Sequence, residues 1–222
     1  MTDDVKLINI KEEILAENKD LADDLRVRLR GQHVFLVNLM SSPGSGKTSL
    51  ILRTLTHLKD AFRMAVIEGD VDSAVDAERV AREGFPAIQI KTGGSCHLSA
   101  AMVEKGLEAL PLESLDLLFL ENIGNLICPA GSDTGANLNV AVASIPEGDD
   151  KPLKYPLIFR TSDAFLVNKT DVADHFDFDM DAFKRRVGKL NPDAPVFEVS
   201  CKTGDGIDAW CRWLQERVDG TR

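Results

Sequence analysis

Positive charge is scarce in this chain of 222 residues: 26 lysines and arginines face 36 aspartates and glutamates, a formal charge of −10. That shortage argues against a nucleic-acid binder, which needs a basic field to displace counterions from phosphates. It leaves room for a small anionic ligand held by backbone N–H groups. Long apolar runs are missing too. No uninterrupted stretch reaches the length that spans a bilayer, and the acidic N-terminus MTDDVKLINIKEEILAENK lacks the apolar stretch of a signal peptide, so no membrane partner is expected. There is no internal repeat and no low-complexity tract. Cysteine is sparse: Cys96, Cys128, Cys201 and Cys211 form no disulfide-like framework in a chain this size, and reduced thiols in a cytoplasmic protein are expected. With no Cys or His before His33, the N-terminal arm has little to offer a soft metal.

What is present is a soluble, globular composition, 44% hydrophobic and 28% charged, long enough for a substantial core. Residues 9–30 carry Ile10, Ile14, Leu15, Leu21 and Leu25 on or near one helical stripe, which predicts one or two amphipathic helices. Strand-like runs then alternate with helix-like stretches. The strands are HVFLVNLM, FRMAVIE, PAIQI, LDLLFLE, LNVAVAS, DAFLVN and PVFEVS. The helices are KTSLILRTLTHLKD, DAERVAREG, the stretch after His97, MDAFKRRVGKL and GIDAWCRWLQERV. Such alternation predicts an α/β fold: a mostly parallel central sheet with helices on both faces. The expected organisation is a helical arm over residues 1–31 and one domain over 32–222. SIPEGDDKPLKY, 144–155, reads as an exposed loop.

Between the first strand and the following helix lies SSPGSGKT, 41–48. It fits the phosphate-loop pattern G-x-x-x-x-G-K-[ST] at Gly46, Lys47 and Thr48, with Ser41 in the first glycine position. Gly44 and Gly46 let successive N–H groups curl toward an anion, and the helix N-terminus adds partial positive charge. Lys47 is expected on the β- and γ-phosphates and the Thr48 hydroxyl on Mg²⁺, so Gly44, Ser45, Gly46, Lys47, Thr48 and Ser49 form the phosphate side of a P-loop nucleoside triphosphate site. The bland alternative is a glycine-rich turn before a helix.

NKTD, 168–171, selects the base. The Asp171 carboxylate can accept the N1 and N2 hydrogens of guanine together, a donor pair adenine lacks. Lys169 covers the base with its stem, and Asn168 holds the loop and reaches N7. One strand later, Ser200, Cys201 and Lys202 resemble the S-A-K loop of GTPases, whose backbone N–H meets guanine O6. Cys201 is then a small residue in a base-binding loop, and Cys211, beside Trp210 and Trp213, is packing.

LDLLFLE runs into ENIGNLICPAG, 121–131. GTPases commonly carry D-x-x-G here, the acid orienting Mg²⁺ and the glycine sensing the γ-phosphate; this chain has E-x-x-G, Glu121 and Gly124. Cys128 lies four residues further on. Cys96 and His97 also follow a strand end, so the two loops are expected to meet above the sheet. Two cysteines and a histidine make three soft ligands, one short of a tetrahedral zinc site, and a two-fold dimer would double them. The alternative for Cys96 and His97 is ordinary packing. After the second strand, EGDVDSAVDAER offers Asp70, Asp72 and Asp76, which serve equally as a solvated helix start. Asp70 is favoured near Mg²⁺ or the attacking water, with Asp72 next.

NLMSSPGSGKTS, EGDVDSAVDAER, TGGSCHL, LFLENIGNLICPA, KYPLIFRTSDAFLVNKTD and SCKTG together resemble the hydrogenase-maturation nickel-incorporation GTPases, the HypB family of SIMIBI-class P-loop GTPases. The resemblance runs from about residue 9 to the C-terminus. It implies a GTP-dependent metallochaperone that holds Ni²⁺ or Zn²⁺ on Cys96, His97 and Cys128 at the interface of a GTP-promoted homodimer. It also implies delivery of nickel to the large subunit of nickel–iron hydrogenase with a small zinc-containing HypA-like partner. Lys154 matches a position that reaches across the dimer. An N-terminal Cys-rich or His-rich nickel motif, found in some members, is not present here.

The expected catalytic set is Lys47, Asp70 and Glu121, with Mg²⁺ on Thr48, Asp70 and Glu121. No in-cis arginine finger is visible and Asn125 stands near the usual glutamine, so slow intrinsic hydrolysis is expected. Competing readings are a urease-type accessory GTPase, which resembles a sibling with Cys-Pro-His at the metal corner, a metal-binding or storage protein with a vestigial nucleotide site, and a small-molecule kinase.

Overall fold

The computed structural model describes residues 10–221, with side chains from Leu15 onward. Among these residues seven strands form one sheet: β1 Phe35–Ser41, β2 Met64–Asp70, β3 Ala87–Lys91, β4 Leu117–Glu121, β5 Leu138–Ser144, β6 Ala164–Asn168 and β7 Val196–Glu198. The spatial order is β3-β2-β4-β1-β5-β6-β7, and every neighbouring pair is parallel. Parallel neighbours need crossovers, supplied by α2 Lys47–Leu58, α3 Val75–Arg82, α4 Ala100–Glu108, the pair α5 Lys151–Lys154 and α6 Pro156–Thr161, and α7 Met180–Leu190. Helix α1, Ile10–Gly31, precedes the sheet and α8, Ile207–Asp219, closes it.

Strand periodicity divides the core. Phe35, Val37 and Leu39 of β1 point with Val66, Phe119 and Val140 toward α2 and α8, where Leu50, Leu55, Trp210 and Leu214 are buried. Leu36, Ala65, Ile67, Leu118 and Leu120 face the other way, against Leu25 and Leu29 of α1 and Val103 and Leu107 of α4. A third cluster fills the space between β5, β6 and helices α6 and α7 around Phe159, Phe165 and Phe183. The α/β architecture expected from the alternating pattern is the one found.

Two local expectations need correction. Residues 144–155 are not an exposed loop: Ile145 and Pro152 are buried, Ile145–Glu147 makes a 3₁₀ turn, and α5 and α6 follow directly. Their prolines sit in the first helical turn, where the missing N–H costs nothing, and so look like breakers in the sequence. Residues 10–31 form a single helix whose buried stripe is Ala22, Leu25 and Leu29, with Leu21 at its edge, whereas Leu15 is exposed. The side chains of Ile10 and Ile14 lie outside the described residues. No helix among the described residues is long and apolar enough to cross a membrane.

Candidate nucleotide site and metal corner

All the chemistry collects at the carboxyl ends of the strands, where ligands bind in open parallel sheets. The central strand β1 ends in Ser41, and the chain curls through Gly44 (φ 79°) and Gly46 (φ 99°) before α2 begins at Lys47. Ser41 belongs to the strand and needs no positive φ, so a glycine there is dispensable. Its hydroxyl donates to the Ser42 carbonyl at 2.6 Å and accepts from Lys47 Nζ at 3.0 Å. Lys47 also lies 4.0 Å from Glu121 Oε1, to which the Thr48 hydroxyl donates at 3.0 Å.

Beneath them sits a residue that the motif reading passed over. Glu68, within β2, is buried and stands in register beside Glu121 of β4. Desolvation, then the neighbouring Glu121 charge, pushes its carboxyl up to about 10. Burial likewise raises Glu121, with Lys47 opposing. Glu68 Oε1 and Glu121 Oε2 have no hydrogen-bond partner among the described residues. Two orphaned carboxylate oxygens beside a threonine hydroxyl fit a hard divalent cation such as Mg²⁺, which takes oxygen ligands and keeps several waters. A glutamate inside an otherwise apolar strand is the anomaly that could have revealed this position.

Asp70 stands at the end of β2, and its Oδ1 accepts the backbone N–H groups of Asp72 at 3.0 Å and Ser73 at 2.8 Å. Those bonds hold its carboxyl below the usual range. Asp72 is exposed and 3.3 Å from Lys91 Nζ, and Asp76 pairs with Arg79 at 3.3 Å. A cavity of about 530 Å³ is walled by the phosphate loop, Glu68, Asp70, Asp76, Arg79, Glu121 and Gly124. Arg79 is a cation on this wall that no spacing in the sequence announces. Gly124 packs on the phosphate loop: a Cβ there would stand 3.0 Å from Pro43.

A second cavity, of about 360 Å³, opens between Gly46, Ser49, Asn168, Lys169, Asp171, Cys201 and Lys202. Asn168 ties three loops together. Its Nδ2 donates to the Ser45 carbonyl at 2.9 Å, while its Oδ1 accepts from the N–H of Lys169 at 2.8 Å and of Cys201 at 3.1 Å. Lys169, in the left-handed region at φ 65°, donates to the Gly44 carbonyl at 2.7 Å. Ser200 donates to Asp171 Oδ1 at 2.7 Å, and that bond keeps the carboxyl below its ordinary value, so it is ionised. Arg53, also unannounced, reaches from α2 to the carbonyls of Cys201 (2.7 Å) and Lys202 (3.0 Å). Burial pushes the Cys201 thiol up to about 11 and that of Cys211 to about 12, so both are poor metal ligands.

The third feature is the corner after β3. Ligand atoms of Cys96, His97 and Cys128 all lie within 4.8 Å of one another, with Cys96 Sγ 3.6 Å from His97 Nδ1. Cys96 is exposed and Cys128 half-buried. A hydrogen bond with Cys128, with a smaller contribution from burial, raises the Cys96 thiol. Two sulfurs and an imidazole suit a borderline or soft ion such as Ni²⁺ or Zn²⁺. They converge because β4 lies two strands from the sheet edge, close enough for its exit loop to meet the exit of edge strand β3. Lys154 pairs with Asp150 on the surface, and His57 Nδ1 is 3.4 Å from Asp208 of α8.

A phosphate loop on the central strand of an all-parallel sheet defines a nucleotide-binding protein of the P-loop NTPase class. The CobW/HypB/UreG nucleotide-binding domain model matches residues 35–198. The hydrogenase maturation factor HypB of Azotobacter vinelandii is 46% identical over 217 residues, 98% of this chain and 71% of that protein. The hydrogenase/urease maturation factor HypB of Helicobacter pylori (strain ATCC 700392 / 26695) is 40% identical over 216 residues, 96% and 88% of the two chains. A crystal structure of HypB from Helicobacter pylori in complex with nickel superposes with a TM-score of 0.88 at 39% identity, covering 92% of this chain and 96% of that one. This chain belongs to the HypB family of hydrogenase maturation factors.

Proposed function

We propose that this protein is a GTP-hydrolysing metallochaperone that binds nickel and delivers it during maturation of nickel–iron hydrogenase. One observation carries the reading. The soft ligands Cys96, His97 and Cys128 converge, and Cys128 lies on the same strand exit as Glu121 and Gly124, which wall the nucleotide cavity. The nickel-bound relative supports nickel as the cargo.

In this reading the triphosphate lies across Gly44 to Ser49 with Lys47 on its terminal phosphates, and guanine sits between Lys169 and Asp171 in the second cavity. Bound Mg²⁺ would neutralise charge on the phosphate oxygens. Thr48, Glu121 and Asp70 would hold it, with Glu68 supplying the further carboxylate that the orphaned oxygens call for. The γ-phosphate draws Gly124 inward and shifts Cys128 relative to Cys96 and His97, so metal grip differs between GTP and GDP states. A homodimer formed in the GTP state would complete the coordination sphere with the second copy's ligands. The HypA-like protein and the hydrogenase large subunit are the partners this role requires. Residues 1–31 act as an arm on a GTPase domain of residues 32–222, working in the cytoplasm. Zn²⁺ shares the donor chemistry and competes at the same corner.

A second reading, nickel insertion into urease, has support in the hydrogenase/urease description of the Helicobacter relative. The experiment is titration of Ni²⁺ into wild type and Cys96→Ala, with GDP and with a non-hydrolysable GTP analogue, while light scattering follows assembly. Wild type should bind in both states with different affinity and associate in the GTP-analogue state, and Cys96→Ala should lose the thiolate-to-metal absorption. Unaltered binding in Cys96→Ala would remove the corner from the reading.

A further inference from the structure

Within a single subunit, nucleotide can alter the grip on the metal only if Cys128 moves relative to Cys96 and His97, not if both loops move together. Something must therefore pin the Cys96–His97 corner to the sheet while the segment after β4 shifts. We infer that Asn122 is this positioning residue, an inference that rests on the nucleotide-dependent metal binding proposed above.

Asn122 directly follows Glu121 and is 1% exposed. Its Oδ1 accepts the backbone N–H of Leu98 at 3.1 Å, the residue after His97. Its Nδ2 donates to Asn38 Oδ1 on central strand β1 at 3.2 Å, and Asn38 donates in turn to Asn139 of β5 at 2.9 Å. The metal corner is thus linked through one buried amide to the middle of the sheet. Leu98 is fully buried, and its Cδ1 fills the space above Gly69, where a Cβ would come within 2.6 Å. Buried polar groups left without partners cost heavily, so this network holds one arrangement.

A second amide does the opposite. Asn125 lies between Gly124 and Cys128, and its Nδ2 donates to the Cys96 carbonyl at 3.3 Å while its Oδ1 accepts from Ile127 N–H at 2.9 Å. It is only half-buried and has no tie to the sheet interior among its side-chain bonds. When Gly124 moves, Asn125 pulls the corner along with Cys128. Asn122 resists that pull. With the pin intact the three ligands change separation; without it the corner follows passively and the separations persist.

The two amides therefore predict different outcomes. Allosteric coupling typically alters affinity about 5- to 150-fold. Measured at protein concentrations too low for association, the ratio of Ni²⁺ affinities between GTP-analogue and GDP states should collapse to about 1 in Asn122→Ala, and in Asn125→Ala it should equal or exceed that of wild type. A purely structural defect would weaken both nucleotide states equally and leave the ratio intact. The readout is thiolate-to-nickel absorption during Ni²⁺ titration, with circular dichroism melting to establish folding. If Asn122→Ala does not fold, Asn38→Ala cuts the same anchor one bond further in and should also collapse the ratio. A wild-type ratio in whichever of these two folds, or its collapse in Asn125→Ala, overturns the inference alone. A ratio of one already in the wild type overturns the nucleotide-dependent reading beneath it.

Discussion

A carboxyl group in a buried strand keeps its proton unless something compensates its charge, and Glu68 faces the acidic Glu121 and Asp76 with Lys47 opposing them. Its pKa, about 10 in the native state, lies above its ordinary value of 4.5. Between those two values the native state retains a proton that the unfolded chain releases, so stability falls as pH rises through the window. The slope is at most about 1.4 kcal/mol per pH unit, and the shared proton with Glu121 divides it between the pair. Glu68→Gln is neutral at every pH and should flatten this slope, raising the unfolding midpoint of the nucleotide-free, EDTA-treated protein at pH 8 more than at pH 5. Chemical denaturation at the two pH values measures it, and a less stable Glu68→Gln at pH 8 would mean that the native pair is ionised. The sequence reading favoured Asp70 here because its strand-end position matches a pattern. Glu68 was legible only as a violation of the apolar strand, and Arg79 not at all, because a cation on a solvated helix has no distinguishing spacing.

At the scale of elements, periodicity carried much of the information and turn chemistry the rest. The runs LNVAVAS and MDAFKRRVGKL coincide with β5 and α7, since strict apolar patterns bounded by polar residues leave little latitude. Helix α5, inside the stretch 144–155, reads as loop in the sequence because proline is ambiguous between a breaker and a first-turn residue. The phosphate loop and the NKTD loop were each readable, but their mutual contact was not. Gly46 joins them: at φ 99° it presents its Cα to Asn168, and any Cβ would overlap Asn168 Nδ2. Gly46→Ala should therefore damage both halves of the nucleotide site. Backbone strain at positive φ costs about 1–3 kcal/mol, and because the empty loop can relieve it by leaving the binding geometry, GDP affinity should fall about 5- to 150-fold. Displacement of Asn168 should also weaken guanosine, which carries no phosphate. Isothermal titration with both ligands separates the contributions, and unchanged guanosine binding would mean that the base loop tolerates the intrusion.

At the scale of the whole molecule, the fold brings together residues that no local pattern associates. Cys96 and Cys128 are on different crossovers, and only the strand order β3-β2-β4 makes their loops neighbours. The same order puts Glu68 and Glu121 side by side in register across β2 and β4, at the head of the loop that leads to Cys128. In the proposed reading, nucleotide and metal act on one short stretch, residues 121–128, from its two ends. Linkage then fixes a quantity that no detail of the motion can alter. If the GTP analogue changes Ni²⁺ affinity relative to GDP by some factor, Ni²⁺ must change the preference for GTP analogue over GDP by that same factor. Dimerisation belongs inside the cycle, because a dimer that forms only in one nucleotide state contributes its association energy to both legs. At fixed protein concentration the two factors should agree, whether metal is titrated at saturating nucleotide or nucleotide is exchanged at saturating metal. Agreement at a factor well above one, lost in Cys128→Ala from both legs together, is the expected result. A nucleotide preference that responds to Ni²⁺ in Cys128→Ala as strongly as in wild type would place the metal's influence on some surface other than this loop.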